Sequence, residues 1–361
     1  VLGLLQDLLQ EPGKYVRHDH FAELANYLNR EKQVPGQPST AKRPLKNQPS
    51  EFAVFGRNLI DPEALNQMNT AMKMPVVVKG ALMADAHVGY GLPIGGVVAA
   101  YNAVMPYGVG MDIACRMHLS VYPDPPELLR RQKDHIKQLL TDNTRFGLAE
   151  FNDIGDHELM ERREWKEIAF IRGLKQKFYN QLGTSGHGNH FVDIGHLVVS
   201  DFTGELGLQP GTYLAILSHS GSRNFGAEVA MHYTKVAKAK LGLSGEAGQL
   251  AWLDLGSQEG QEYWQAMNLA GDYSKANHHI IHGKLSQALG SNPIKRVENH
   301  HNFAWEEKLS EHESLIVHRK GATPAHEGDV GIIPGNMVSP AFIVSGKGNA
   351  MSLQSASHGA G

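Results

Sequence analysis

A carboxylate and a thiol stand three residues apart in GVGMDIACRM, at Asp112 and Cys115. Gly108 and Gly110 precede them and permit a tight turn, so that both side chains can face one cavity. A thiolate is a soft ligand and a carboxylate a hard one, and together they suit a borderline divalent ion such as manganese or zinc. A buried cysteine beside a turn aspartate accounts for the same residues equally well.

Histidines recur at the ends of predicted strands further along the chain. In GTSGHGNHFVD, His190 stands at the entrance of a strand, where its ring can point toward a metal, whereas His187 is typical of a solvated loop. In SHSGSRNFG, His219 is followed by Arg223, whose guanidinium can bind a phosphate through two parallel hydrogen bonds. The alternative for this segment is a serine-glycine turn before a helix.

Two segments nearer the C-terminus add imidazole and basic groups. ENHHNFAW contains His300 and His301, and neighbouring residues of a strand point to opposite faces, so only one of them is expected to reach a shared site. VHRKGATPA carries Arg319 and Lys320 at the end of a predicted strand. A solvated strand end is the simplest interpretation of that charge.

The candidate ligands are more informative as a set than singly. One carboxylate, one thiolate and three imidazoles exceed what one tetrahedral zinc needs, and they suffice for two adjacent ions if the thiolate bridges them. The set comprises Asp112, Cys115, His190, His219 and His301. The final SLQSASHGAG places His358 among very small residues, which suits either a loose chain end or a site where a bulky ligand approaches the imidazole.

Composition excludes several classes of protein. With 361 residues and 41% hydrophobic content the chain can bury a full core. The formal net charge of −3 means that any nucleic acid must bind at a local basic patch. The single cysteine excludes an internal disulfide and favours a reducing, cytoplasmic location. We expect no membrane span and no signal peptide, and we find no Walker or GxSxG motif.

Strands and helices are mixed without a steady βαβ period, which predicts an α+β fold. We expect a short N-terminal helical segment and a proline-rich loop over residues 1–50. A single large catalytic domain of mixed β-sheets flanked by helices is expected over 51–361. Because aspartate caps helices and proline suits their first turn, Asp61-Pro62 predicts a helix start.

Hydrophobic patterns place the other elements. RMHLSVY alternates as a half-buried strand, and the glycine-broken ALMADAHVGYGLPI (81–94) predicts a loop between two buried strands. Those strands are predicted at 75–80 and 95–101, and helices near 125–142, 156–181, 224–241 and 258–289. Further strands are predicted in NHFVDIG, TYLAILSHS, KRVENHHN, SLIVHRK, DVGIIPG and AFIVSG.

The order of these motifs resembles the RtcB family of RNA ligases. The resemblance runs from about Ala84 to the last residue and covers roughly three quarters of the chain. Its motifs are, in order, DAHVGYGLPIGG, GVGMDIACRM, GHGNHFVDIG, SHSGSRNFG, NHHNF, VHRKGATPA, GIIPGNM and SHGAG.

The resemblance implies a manganese- and GTP-dependent ligase. It would join an RNA 3′-phosphate or 2′,3′-cyclic phosphate end to a 5′-hydroxyl end, in tRNA splicing or RNA repair, and an activating protein is a further expected partner. Two manganese ions would be held by the five ligands, with Cys115 shared, and His358 would take GMP. The implied guanylate site comprises Asn189, Phe191, Asp193, Asn302, Pro334, Gly335, Asn336, Met337, Gly359, Ala360 and Gly361. The implied RNA or phosphate contacts are Arg223, Arg319 and Lys320.

The sequence departs from the family pattern in three places. Asp193 stands where many members have a glutamate that binds the guanine edge, and Asn336 stands where serine is common. Family members also continue past the histidine of SHGAG with further arginines and a lysine that contact GMP. Either a C-terminal tail follows Gly361, or this form does not transfer GMP efficiently.

Two other functions compete with a ligase. A dinuclear metal-dependent phosphoesterase would use the same metals to activate water, without nucleotide transfer. A catalytically silent RNA-binding or docking module would leave five ligand-type side chains without a role. Labelled GTP distinguishes them, because only the ligase retains label on the protein.

Overall fold

The computed structural model describes Leu8, Phe21 and residues 44–148, 156–200, 206–310, 313–336 and 339–359. The chain separates into one compact unit of Val1–Arg43 and another of Pro44–Gly361. The predicted N-terminal helix and most of the proline-rich loop lie outside the described residues. The elements that bear on the site belong to the second unit.

Helices and strands follow one another irregularly along this unit. The α-helices are α1 (Pro62–Met72), α2 (Pro106–Val109), α3 (Leu128–Arg131), α4 (Lys133–Asn143), α5 (Glu164–Glu167), α6 (Ala169–Arg172), α7 (Lys175–Gln181), α8 (Arg223–Leu241), α9 (Gly245–Gln249) and α10 (Gln258–Leu289). The strands are β1 (Ala53–Val54), β2 (Val77–His87), β3 (Ile94–Ala100), β4 (Ala103–Val104), β5 (Arg116–Tyr122), β6 (Phe191–Val199), β7 (Gly211–Ser220), β8 (Leu253–Asp254), β9 (Lys295–His300), β10 (Phe303–Ser310), β11 (Glu313–Lys320), β12 (Ala322–Pro324), β13 (Val330–Ile333), β14 (Phe342–Ser345) and β15 (Ser355–Ser357).

Two larger sheets form the frame. One has five strands in the order β1-β2-β3-β11-β10, in which β1 and β2 are parallel and the other pairs antiparallel. The other has four antiparallel strands in the order β6-β7-β5-β9. Small pairings join β12 to β15, β13 to β14 and β4 to β8. The predicted α+β class is confirmed.

Several predicted helices are present with clear physical causes. The Asp61 carboxylate accepts a hydrogen bond of 2.7 Å from the Glu63 N–H, which satisfies one of the free donors at the start of α1. The long helices predicted at 224–241 and 258–289 are α8 and α10, and both end at a glycine in the left-handed region. The stretch predicted as one helix over 156–181 is instead broken into short pieces, among them α5, α6 and α7.

Two predictions about strands are wrong. The predicted loop at 81–94 is strand as far as His87, because Ala81, Leu82 and Met83 are buried and β2 pairs with β3. RMHLSVY does not form a half-buried strand, since every residue of β5 is buried. Apolar residues of α10 cover one face of this sheet, and the β13-β14 pair covers the other.

The register of the four-stranded sheet gathers distant parts of the chain at one end. Arg116, the first residue of β5, pairs with Ser220 at the end of β7 and with His300 at the end of β9. Phe191, the first residue of β6, pairs with His219. The residues just beyond these strand ends therefore meet. Within the described ranges, no helix has the length and apolar character needed to span a membrane.

Candidate active site

Donor atoms from separate strands converge at this end of the four-stranded sheet. The Cys115 sulfur lies 3.0 Å from Nε2 of His219 and 3.4 Å from Nε2 of His190. The same His190 nitrogen is 3.0 Å from Oδ2 of Asp112. His301 follows β9, and its ring centroid is 5.5 Å from that of His219. The structure thus brings the five ligands predicted from the sequence into one group, which we call the Cys115 cluster.

A glycine and a buried amide position the loops that carry these ligands. A methyl group on Gly221 would lie 2.0 Å from Oδ1 of Asp112, so the absence of a side chain there admits the carboxylate. From α10, the Asn277 amide donates to the Gly221 carbonyl at 3.0 Å and accepts from the Gly183 N–H at 2.8 Å. One fully buried side chain therefore fixes the loop after β7 relative to the loop that leads to His190.

Burial and neighbouring charges set the protonation of the Cys115 cluster. Burial, reinforced by the Asp112 carboxylate, raises the pKa of the Cys115 thiol well above its usual value. Burial also lowers the pKa of His219 to about 4, so its imidazole is neutral at pH 7. For Asp112, burial alone would raise the pKa, but hydrogen bonds and charge from His190 outweigh it and hold the pKa below its usual value. A thiol becomes a thiolate in such a place only with a bound cation.

The donors fit a divalent metal ion. Cys115, His190 and His219 each offer one ligand atom, and these atoms lie within 4.8 Å of one another. His219 Nδ1 donates to the Asn189 carbonyl at 3.1 Å, which leaves Nε2 unprotonated and facing Cys115. A thiolate with imidazoles and a carboxylate is the ligand mixture expected for a borderline ion.

His358 lies beside the cluster, held by a carboxylate that the sequence analysis did not single out. Its Nδ1 is 3.1 Å from Oδ2 of Asp85, which also accepts the Gly359 N–H at 3.0 Å. The His358 ring centroid lies 5.1 Å from that of His301. An ionised carboxylate can only accept hydrogen bonds, so Nδ1 of His358 carries the ring proton. Nε2 then keeps a free lone pair. The sequence signal for Asp85 was weak, since its partner lies 273 positions away.

The residues predicted to line a guanylate site are only partly gathered. Phe191 and Asp193 share a sheet face with His219, and the Phe191 ring centroid is 5.8 Å from that of His219. Gly359 packs so closely on Pro334 that a methyl group on it would lie 2.3 Å from the Pro334 carbonyl oxygen. Gly335 and the exposed Asn336 follow, whereas Met337, Ala360 and Gly361 lie outside the described residues.

Asn302 has a role within the protein that the sequence did not predict. Its Nδ2 donates to the Asp112 carbonyl at 3.2 Å, and its Oδ1 accepts the Gly321 N–H at 2.7 Å. Its backbone is left-handed, with φ of 59°. Asn302 therefore connects the Asp112 loop to the residue after β11.

The three basic residues predicted to contact phosphate differ in their surroundings. Arg223 donates from Nε to Thr184 Oγ1 at 3.0 Å and from Nη2 to the Gly147 carbonyl, and Nη1 has no hydrogen-bond acceptor among the described residues. Lys320 is 5% exposed and donates to the Tyr90 carbonyl. A methyl group on Gly110, beside the Asp112 loop, would lie 3.6 Å from Cε of Lys320.

Arg319 corrects the sequence analysis. Its side chain has no exposed surface, and its donors go to Glu307, Ser355 and the Leu353 carbonyl. With Lys320 also buried, the interpretation of VHRK as a solvated strand end is wrong. The predicted phosphate contact through Arg319 is likewise not available in this geometry, because protein groups surround the guanidinium.

A second group of possible ligands, His118, His279 and Glu298, lies on the opposite face of the four-stranded sheet. Glu298 Oε2 already lies 3.2 Å from Nη1 of Arg116, and Oε1 lies 3.6 Å from Nζ of Lys275. A divalent ion there would face two fixed positive charges, so the Cys115 cluster is the more suitable of the two groups for a cation.

Comparison with known proteins identifies the family of this chain. The family model described as tRNA-splicing ligase RtcB matches residues 67–169 and 166–361. The RNA-splicing ligase RtcB of Escherichia coli K12 is 30% identical over 331 residues, which cover 84% of this chain and 78% of that protein. The tRNA-splicing ligase RtcB of Thermococcus kodakarensis is 30% identical over 363 residues, covering 81% and 74%. The chain therefore belongs to the RtcB family of RNA-splicing ligases.

Proposed function

We propose that this protein is a manganese- and GTP-dependent ligase that joins an RNA 3′-phosphate or 2′,3′-cyclic phosphate end to a 5′-hydroxyl end through a guanylate on His358. The observation that carries the proposal is the position of His358. Its Nδ1 is fixed by Asp85 at 3.1 Å, and its ring lies against His301 of the Cys115 cluster. A phosphoesterase that activates water needs no such nucleophile beside its metals.

In the first step His358 Nε2 attacks the α-phosphorus of GTP. A nitrogen–phosphorus bond forms, and the bond to the departing pyrophosphate breaks. Asp85 stabilises the positive charge that the imidazole gains in the adduct, because its ionised carboxylate accepts a hydrogen bond from Nδ1–H. Small residues around His358 leave room for the nucleotide to come within the ~3–3.5 Å that attack requires.

Two further transfers complete the reaction. An oxygen of the RNA 3′-phosphate attacks the phosphorus on His358, which restores the imidazole and leaves GMP on the RNA end. The 5′-hydroxyl of the second RNA then attacks the 3′-phosphate, loses its proton and displaces GMP. A 2′,3′-cyclic end must first take up one water to provide the 3′-phosphate.

Five side chains would hold the two manganese ions that the family resemblance implies, with Cys115 shared. They are Asp112, Cys115, His190, His219 and His301. Bound manganese would neutralise charge on the phosphates during transfer. The guanine and ribose would then lie toward Asn189, Phe191, Asp193, Asn302, Pro334–Met337 and Gly359–Gly361.

Further expectations about the catalytic domain, the cellular location, the substrate and an activating protein accompany this proposal. We propose that residues 51–361 act as one catalytic domain and that the protein works in the cytoplasm on RNA ends from tRNA splicing or damage. An activating protein would be recognised as a factor that raises the number of turnovers by purified ligase. Sequencing of RNAs crosslinked to the protein in cells would identify the substrate class.

Labelled GTP tests the central claim. The protein is incubated with manganese and α-labelled GTP, and then with RNAs that carry 3′-phosphate and 5′-hydroxyl ends. We expect acid-labile, alkali-stable label on the protein, followed by sealed RNA. RNA dephosphorylation without protein labelling would instead identify the phosphoesterase.

Asp85→Asn should slow guanylate transfer by about 10²- to 10⁴-fold. The asparagine amide can donate to Nδ1, which would move the imidazole proton to Nε2 and remove the nucleophilic lone pair. The rate of protein labelling in a single turnover measures this. Asp329→Asn is the matched control, because Asp329 also contacts a histidine nitrogen, that of His326 at 2.8 Å, but on an exposed surface. Equal rates for both variants would contradict the role of Asp85.

Arg223→Ala should weaken binding of triphosphate or RNA more than binding of metal. The loss of a charge-assisted phosphate contact through Nη1 costs about 1–3 kcal/mol, and the effect should shrink at high salt. Calorimetric titrations with a non-hydrolysable GTP analogue, with RNA that carries a 3′-phosphate, and with manganese separate the three affinities. If the affinities for the nucleotide and for RNA are both unchanged, Arg223 only ties α8 to Thr184 and Gly147.

Lys320 predicts a pH dependence of phosphate binding. Burial lowers the pKa of its ammonium to about 7 in the free protein, so the positive charge is present below pH 7 and is lost above it. Affinity for the GTP analogue should therefore fall between pH 6.5 and 8.5, by up to about tenfold per unit above the pKa. Lys320→Met should remove this part of the pH dependence. Parallel profiles for the two proteins would show that Lys320 does not contact phosphate.

A further inference from the structure

Arg319 lies at the centre of contacts that shape the chain just before His358. Its Nε donates to Ser355 Oγ at 2.7 Å, and Nη2 donates to the Leu353 carbonyl at 2.9 Å. The remaining strong contacts are with Glu307, at 2.5 Å from Nη1 and 3.0 Å from Nη2. The guanidinium carbon also lies 4.9 Å from the ring centroid of Trp305. A fully buried arginine thus joins β10 and β11 to the C-terminal segment.

The segment that Arg319 holds is strained. Leu353 and Gln354 are successive residues with φ of 51° and 49°, in the left-handed region that side chains other than glycine avoid. Such a conformation persists only where the surroundings enforce it. The Leu353 side chain is buried beside Leu315 and Val317 of β11, and its carbonyl is fixed by the guanidinium. Packing and hydrogen bonding together impose this turn.

The strained turn determines where His358 lies. Directly after it, β15 pairs with β12 in the register Ala322 to Ser357, so that the next residue emerges beside Asp85. A methyl group on Gly321 would be only 3.2 Å from Cε1 of His358, which shows how tightly the imidazole fits against the end of β11. A shift of the turn would move the ring relative to the Cys115 cluster, whose ligands are carried by the other sheet.

We propose that Arg319 is a positioning residue for His358: its forked guanidinium fixes the left-handed turn at Leu353 and Gln354, and this aims the imidazole at the Cys115 cluster. The proposal rests on the proposed function of His358 as the group that accepts GMP. A lysine could not replace the arginine, because an ammonium lacks the planar fork that serves Glu307, Ser355 and the Leu353 carbonyl together.

The test removes the fork without leaving a buried charge. In the double variant Arg319→Met/Glu307→Leu, apolar groups of similar volume replace the ion pair, an exchange that cores can tolerate. Arg162→Met/Glu164→Leu is the matched control. Arg162 also makes a forked contact with a glutamate, since its Nε lies 3.1 Å and its Nη2 2.6 Å from the Glu164 carboxylate oxygens. In the part of the chain that the structure describes, this pair does not contact the C-terminal segment. Ser355→Ala removes one acceptor of the guanidinium, together with the hydrogen bond of 2.8 Å that the Ser355 hydroxyl donates to the Leu353 carbonyl. It serves if the first double variant does not fold.

Three readouts are combined for each variant. The rate of single-turnover labelling by GTP should fall at least about tenfold in the Arg319 double variant, since a misplacement near 1 Å can cost a hundredfold. Binding of cobalt to the Cys115 cluster, followed by thiolate charge-transfer absorption, should change less than about twofold, because its ligands lie on the other sheet. Amide hydrogen exchange should accelerate in residues 353–359 and stay unchanged in β5 and β7. The control variant should match the wild type in labelling.

The outcomes separate this proposal from the proposed function. Wild-type labelling in the folded double variant, or unchanged exchange in residues 353–359, overturns the positioning role. The same applies to Ser355→Ala if it changes neither labelling nor exchange. If the wild-type protein itself takes no label from GTP, the proposed function of His358 is wrong. In that case, faster amide exchange limited to residues 353–359 in the Arg319 double variant would still show that Arg319 stabilises the turn.

Discussion

Replacement of His358 by alanine is expected to abolish transfer of GMP to the protein and all ligation that depends on it. The loss should reach at least about 10⁴-fold, as it does when other enzymes lose a covalent nucleophile. The physical reason is local. Within the site, His358 combines an Nδ1 proton bonded to Asp85 with a free Nε2 lone pair beside the Cys115 cluster. Electrophoresis after incubation with α-labelled GTP and manganese measures the transfer.

The fold of this variant must be preserved for the result to be informative. His358 is 8% exposed, and its alanine variant should keep its thermal unfolding midpoint within a few degrees, since little of the core is lost. His135→Ala, at an exposed position of α4, is the control and should label as the wild type does. Label on a folded His358→Ala protein would place the nucleophile elsewhere. The absence of label from the wild type under the same conditions would overturn the proposed role of His358.

Cys115→Ala should lower the rate of ligation by at least about a thousandfold. Loss of a residue that only supports a metal ligand costs about 10- to 100-fold in metal affinity, and loss of a direct ligand should cost more. The sulfur contacts both His190 and His219, so its removal would leave two like-charged ions without a shared anionic ligand. Metal analysis after gel filtration should show clearly less than full manganese loading. Two tightly bound ions per chain in the variant would disprove the bridging role.

The matched control for this change is Ser120→Ala. Ser120 lies in β5, the strand that directly follows Cys115, but it bonds at 2.8 Å to His282 of α10 on the other side of the sheet. Its loss should reduce stability by about 1–3 kcal/mol through the unpaired histidine nitrogen and leave metal loading intact. A similar loss of metal in both variants would mean that the metal depends on the stability of β5 in general.

The sequence alone predicted the family and the five side chains that converge in the Cys115 cluster. Asp112 and Cys115 share one turn, and the motifs that contain His190, His219, His301 and His358 have residue types and an order specific enough for the resemblance to RtcB ligases. The α+β class and the long helices α8 and α10 also followed from local pattern, because capping residues and apolar periodicity are properties of short stretches of chain.

Tertiary structure decided which of these side chains touch and what they can do. Asp85 was found only through its contact with His358, and Asn277 only through the two loops that it joins, because both roles depend on residues far away in sequence. The charge of Arg319 predicted a solvated strand end, and the family resemblance implied a phosphate contact. Its burial against Glu307 and Ser355 instead makes it an internal support, since only the three-dimensional packing determines whether a charged side chain faces solvent or other protein groups.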